Sequence, residues 1–266
     1  MQETNAIFVP DGGRFLPTLL ARGPWSPEAQ HGGPPAALLA RTVALHDGGE
    51  QMFVARLTVE LLRPVPLTPL AVTTTLLRPG RKVQIVGASM HADDTEVARA
   101  TALRVRQIDL PLPADLPAAA APPPGPDSGA ATLPPWTQSL WEPAFHSHGV
   151  EHRFVAGSFE HPGAATDWIR LRVPLVAGES TLPVARVTAA ADFGNGVSWV
   201  LSRNDGYQFI NPDLTVYLHR VPQGDWVCLE ATTYPQPHGV GLAESRLWDE
   251  RGSIGRSLQT LLLDRA

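Results

Sequence analysis

Apolar and polar residues alternate along several short stretches of the chain, and that period of two marks strands with one buried face. In the first half the pattern predicts strands over residues 53–63, 70–77, 84–92 and 96–107; in the second, over 213–220, 226–234, 239–248 and 254–264. Connections such as RPGRK at 78–82 and DERGS at 249–253 suit antiparallel hairpins, and the lack of long crossovers disfavours a parallel sheet. Further strands are expected over 6–16, 151–159 and 168–173. Two stretches read differently. GGPPAALLAR at 32–41 and GNGVSWVLSR at 194–203 each run from glycines into small and apolar residues, as a helix buried on most of its surface does.

The halves also match each other. LTVELLR at 57–63 aligns with LTVYLHR at 214–220 at an offset of 157, and the same offset sets Val97, Arg99 and Leu103 on Ile254, Arg256 and Thr260. The helical stretches align at an offset of 162, which places Asp192 opposite Gln30. This predicts an α+β fold of two repeats, over 1–109 and 136–266, each with one buried helix wrapped by a curved antiparallel sheet. Residues 110–135 between them hold nine prolines and few large side chains, the composition of a linker.

Composition narrows the function classes. Pro 27 and Gly 23 in 266 residues argue against a helix bundle. A net charge of -5 leaves no basic footprint for nucleic acid. No apolar run approaches the roughly 18 to 20 residues of a membrane span, and the N-terminal residues lack the charged-then-apolar pattern of a secretory leader. The single cysteine, Cys228, excludes an internal disulfide framework and a multi-cysteine zinc site, which suits a cytoplasmic location.

The HGG of residues 31–33 has the form of an esterase oxyanion loop, but no G-x-S-x-G follows, and GVSWV at 196–200 lacks the second glycine. The G-x-G at 194–196 does not continue to a third glycine, and Lys82 is not in a phosphate-cradling loop. His146, His148 and His152 invite a metal reading, yet Glu142 and Glu151 lack distinctive ligand spacing, so a polar strand after the linker is expected and no metal. Three polar residues differ from their counterparts: Asp192 from Gln30, Asn211 from Val54 and Gln259 from Ala102. A polar side chain buried in SLQTLLL at 257–263 costs about 1 to 3 kcal/mol unless hydrogen-bonded. Each also has an architectural reading: Asp192 as a helix cap, Asn211 before Pro212 as a turn, Gln259 facing solvent.

The order QHGGPPAALLART, LTVELLRPVP, ADFGNG, NPDLTVYLHRVP and DERGSIGRSLQTLLLD resembles the double hot-dog acyl-CoA thioesterases of the thioesterase II type and their thioesterase-like relatives, over nearly the whole chain. The resemblance implies hydrolysis of a fatty acyl-CoA by an activated water, without cofactor. It also implies a water-activating set of an aspartate at the start of the second helix, a hydroxyl residue on the next strand and a glutamine on the last. Asp192 and Gln259 match; Asn211 stands in place of the hydroxyl residue. Gly33 at the first helix start is the expected oxyanion donor, and Arg78, Arg81 and Lys82 are candidates for the CoA phosphates. A homo-oligomer of double hot-dogs is a further expectation. Two other classes remain: a catalytically weak acyl-CoA or lipid-binding hot-dog, favoured by Asn211, and a hydratase, for which the aspartate and histidine pair is missing although His219 follows a strand.

Overall fold

The computed structural model describes residues 5–48, 52–116, 120–134 and 141–265. Its strands are β1 (Phe8–Asp11), β2 (Arg14–Pro17), β3 (Met52–Leu61), β4 (Leu70–Arg78), β5 (Val83–Ala92), β6 (Thr95–Arg106), β7 (Ala130–Thr132), β8 (Val150–Ala156), β9 (Ala165–Leu171), β10 (Tyr207–Ile210), β11 (Asp213–Leu218), β12 (Val227–Pro235), β13 (Val240–Asp249) and β14 (Gly252–Arg265). They form one large sheet in the order β1-β2-β4-β5-β6-β3-β11-β14-β13-β12-β9-β8-β7, with β10 paired to β14. The pairings between these strands are antiparallel, as the short hairpins require.

The two LTV segments meet at the middle of this sheet. Thr58 of β3 lies opposite Thr215 of β11, with Leu57 opposite Val216 and Val59 opposite Leu214. Residues that match at the offset of 157 are thus direct partners or reciprocal neighbours, and the Thr215 hydroxyl donates to that of Thr58 at 3.2 Å. Cross-strand pairs of β-branched residues of this kind stabilise a sheet.

Among the described residues three α-helices accompany the sheet: α1 (Gly33–Leu45), α2 (Pro183–Ala191) and the four-residue α3 (Gly194–Val197). Helix α1 packs on β3, β4, β5 and β6, and α2 on β9, β11 and β12. The second helix therefore precedes the expected stretch at 194–203, which holds only the short α3 followed by bends and irregular chain. Pro183 at the first turn and the run Ala189 to Ala191 explain the shift, since proline suits a helix start and alanine its interior. The glycines that suggested a helix start instead follow its end. This also overturns the pairing of Asp192 with Gln30, because Gln30 precedes α1 whereas Asp192 is the C-cap of α2.

Helices α1 and α2 touch along small residues and run antiparallel. A Cβ on Gly33 would stand 2.8 Å from the Ala189 carbonyl, at the start of α1 and the end of α2. At the other end Arg41 of α1 donates two hydrogen bonds, of 2.7 and 2.6 Å, to Glu179, which lies just before α2. The buried Arg104 of β6 donates to the carbonyls of Val43 and His46, satisfying acceptors that the end of α1 leaves open.

The proline-rich segment is exposed and irregular over much of its described length. Its later part departs from a plain linker: residues 126–128 form a turn and β7 pairs with β8 as the sheet's edge. The Trp168 indole fixes it by donating to the Pro124 carbonyl at 2.7 Å.

Asp249, at the end of β13, has a fully buried side chain that accepts from both terminal nitrogens of Arg220 and from the amides of Gln223 and Arg251. Burial alone would raise its pKa, but the Arg220 and amide hydrogen bonds outweigh it and hold the carboxyl below its usual range. A depressed carboxylate contributes stability above its unfolded pKa that is lost as pH falls through the folded one. Asp249→Asn should lose about 3 kcal/mol in urea unfolding at pH 7, and the deficit relative to wild type should shrink below pH 4.

Candidate active site

Asp192 sits where the chain leaves α2, its side chain 3% exposed. Because α1 and α2 are antiparallel, the carboxylate stands against the start of α1. Only glycine permits this approach: a Cβ on Gly32 would lie 2.8 Å from Oδ2 and 3.0 Å from Oδ1. The start of a helix favours negative charge through its dipole and its unpaired amides.

Two amide side chains converge on Asp192 Oδ1. Asn211 Nδ2 donates at 2.8 Å, and Gln259 Nε2 donates at 3.3 Å while also reaching the Asp192 carbonyl at 3.1 Å. Asn211 reaches the site because the chain enters β11 beside β3, the Leu61 amide donating to the Pro212 carbonyl at 2.7 Å. Gln259 lies on β14 and is buried, not solvent-facing. Its Oε1 accepts from the Asn195 amide at 3.2 Å, and a Cβ on Gly194 would stand 2.7 Å from that oxygen. The structure thus brings together Asp192, Asn211 and Gln259, from three separate segments.

It adds two residues that the sequence reading did not assign to the site. His31, just before α1, places Nδ1 2.9 Å from Asp192 Oδ2, and the same atom accepts from the Gly33 amide at 3.1 Å. Its ring lies among those of Phe145 and Phe193. The clue was the HGG sequence: a histidine followed by two glycines at a helix start. Asn195 is buried beside Gln259, where its Oδ1 accepts from Thr233 at 3.3 Å.

The cations Arg78, Arg81 and Lys82 lie elsewhere. With Val83 and Arg106 they line an open hollow of about 460 Å³ around the β4–β5 hairpin. The register sets this hairpin beside the start of β3, at Met52 and Phe53, whereas Asp192 is near Leu61 at its end. At about 3.3 Å of rise per residue, roughly 25 to 30 Å of strand separates the two.

Of the histidine cluster, His152 is wholly buried with Nδ1 2.6 Å from Asp167, whose carboxyl is pushed up by burial and drawn down by His152. His146 packs near His31, their ring centroids 6.5 Å apart. His148 is half-exposed, 4.0 Å from Glu142. Among the described residues no group of three or more histidine, cysteine or acidic side chains is placed to hold a metal ion.

Residues 21–105 match the family described as the acyl-CoA thioesterase N-terminal domain, and residues 113–263 match that of the acyl-CoA thioesterase C-terminal domain. Among solved structures, a proposed thioesterase from Novosphingobium aromaticivorans DSM 12444 is similar at 22% identity with a TM-score of 0.72, covering 97% of this chain and 98% of that one. A proposed thioesterase II from Thermobifida fusca YX superimposes at a TM-score of 0.71 and 17% identity, covering 98% and 96%. A hot-dog protein of unknown function from Alicyclobacillus acidocaldarius gives 0.71 and 17%, covering 99% and 98%. The fold is shared with these proteins. No curated protein sequence matches the chain. Among the described residues no helix is long and apolar enough to cross a membrane.

Burial, and then the proximity of His31, His152 and His148, push His146 from 6.5 down to about 3. The folded protein therefore keeps this ring neutral where the unfolded chain protonates it, so stability present above pH 6.5 is lost as pH falls toward 3. Each pH unit in that window costs about 1.4 kcal/mol. Between pH 7 and pH 5, urea unfolding of His146→Phe should lose about 2 kcal/mol less than wild type.

Proposed function

The chain belongs to the acyl-CoA thioesterase family, and on that premise we propose that it hydrolyses a fatty acyl-CoA at Asp192, with water as the nucleophile. The observation that carries this reading is the double amide grip on Oδ1 of a buried carboxylate at a helix start. A carboxylate fixed in this way keeps a lone pair for one water and turns it towards a substrate placed beside the start of α1. Attack joins the water oxygen to the thioester carbonyl carbon as one proton passes to Asp192. Collapse breaks the C–S bond, the proton leaves Asp192 for the departing sulfur, and free acid and CoA thiol result.

Asn211 replaces a hydroxyl with an amide that only donates through nitrogen, and its bond to Asp192 suits the holding of a charged base. We read the architecture as two hot-dog repeats that meet at β3 and β11, each with its own helix, the site being built where α2 ends against α1. The Arg78–Lys82 hairpin, a strand length away, takes no part in the hydrolytic step.

A screen of acyl-CoA lengths with free-thiol detection tests reaction and substrate together. Wild type should release thiol, and Asp192→Asn should lower kcat about 100- to 10,000-fold. Gln259→Ala should lower it about tenfold or more, one charge-directed hydrogen bond being lost. Undiminished turnover in both variants removes Asp192 and Gln259 from the mechanism, and stoichiometric CoA-ester binding without thiol release assigns the protein to the binding class.

A further inference from the structure

The Nδ1 atom of His31 faces two partners that make opposite demands on it. The Gly33 amide, 3.1 Å away, needs a lone pair there, while the Asp192 carboxylate, 2.9 Å away, needs a proton. One nitrogen cannot serve both. If Nδ1 is bare, it accepts from Gly33, and its lone pair confronts an Asp192 oxygen, which is attractive only if Asp192 itself carries the proton. If Nδ1 is protonated, it donates to the Asp192 carboxylate, and the Gly33 amide loses its acceptor.

Among the described residues that amide has no other acceptor. In the first turn of α1, Pro34 and Pro35 have no N–H, and the Ala36 amide is bonded to the Gly32 carbonyl. Gly33 therefore holds the first-turn donor that His31 can cover or release. Its neighbours leave Nδ1 no third choice: the ring is held against Phe145 and Phe193, and the side chain is 12% exposed.

We propose that His31 is a positioning residue that couples the ionised state of Asp192 to the release of the Gly33 amide, so that a base able to accept a proton and a donor able to meet the thioester oxyanion arise together. The inference rests on the hydrolytic reading of Asp192. A carboxylate ready to take a proton from water draws the His31 proton to Nδ1, and that step uncovers Gly33 N–H for the oxygen on which charge develops. No proton has to leave His31 during turnover; only its position on the ring is set.

The test reads the ring directly. In nitrogen-15 spectra of histidine-labelled protein at pH 7.5, with the His31 signals identified by their loss in His31→Asn, wild type should show Nδ1 protonated. In Asp192→Ala, Gly33 becomes the remaining partner, and Nδ1 should turn into the bare acceptor with the proton on Nε2. A bare Nδ1 in wild type, or a ring unchanged by Asp192→Ala, overturns the coupling. Kinetics give a second readout. Asparagine sets a donor near the Nδ1 position, so His31→Asn should keep kcat within about threefold. His31→Phe keeps the ring packing but donates nothing, and should lower kcat about ten- to a hundredfold with KM within about threefold. Equal losses in the two variants overturn the proposal. If wild type releases no CoA thiol, the hydrolytic reading fails by itself, and the nitrogen spectra still decide whether His31 answers to Asp192.

Discussion

The pairing of β3 with β11 is the constraint on which the other arrangements rest. Its register, centred on Thr58 and Thr215, leaves no freedom in how the two halves of the sheet lie, since a slip of one residue would turn every side chain to the wrong face. It brings Pro212 against Leu61, and with it Asn211 to the neighbourhood of α1. The same register places α1 and α2 on one side of the sheet, close enough for Gly33 to touch the Ala189 carbonyl. A site assembled from a loop before α1, the end of α2, the entry to β11 and the middle of β14 needs all of these fixed at once.

Burying polar groups there is costly, and each is offset by specific partners. Asp192 gains two amide donors and the start of a helix; Gln259 is used at both its oxygen and its nitrogen. The close approaches are carried by glycines, at Gly32 beneath Asp192 and Gly194 beneath Gln259, where a methyl group would push the functional side chain aside. Gly194 at the start of the short α3 thus makes room for Gln259.

Much of this was legible in the sequence. Strand alternation located the strands well, because each has one buried face and a hairpin at its end, and the offset of 157 is realised as a direct pairing of Thr58 with Thr215. The helix offset misled, because glycine before an apolar run marks a close approach as readily as a helix start. PVARVTAAA at 183–191 lacks that punctuation and signals its helix only by a proline start and a run of alanines. The asymmetry of Asp192, Asn211 and Gln259 was visible as polar residues without polar counterparts, and the three do come together. His31 was harder to read: its importance lies in the distance from Nδ1 to a carboxylate 161 positions away in the chain, which no local pattern encodes. The hairpin cations carry only their charge as a signal, and charge says nothing about which end of a strand they occupy.

The antiparallel helices have two ends, and they are finished differently. One brings Asp192 to the start of α1; the other is closed by the bidentate pair of Arg41 with Glu179, both of whose oxygens are taken by one guanidinium. A carboxylate clasped at the surface by a guanidinium has its charge neutralised and is a poor base for a water, whereas Asp192 is buried against neutral amide donors and keeps a lone pair for one. In the proposed reading the duplicated fold therefore spends its two symmetric ends unequally, one as a clasp and one as a reaction centre, so that substrate stoichiometry is one thioester per chain although the architecture is twofold.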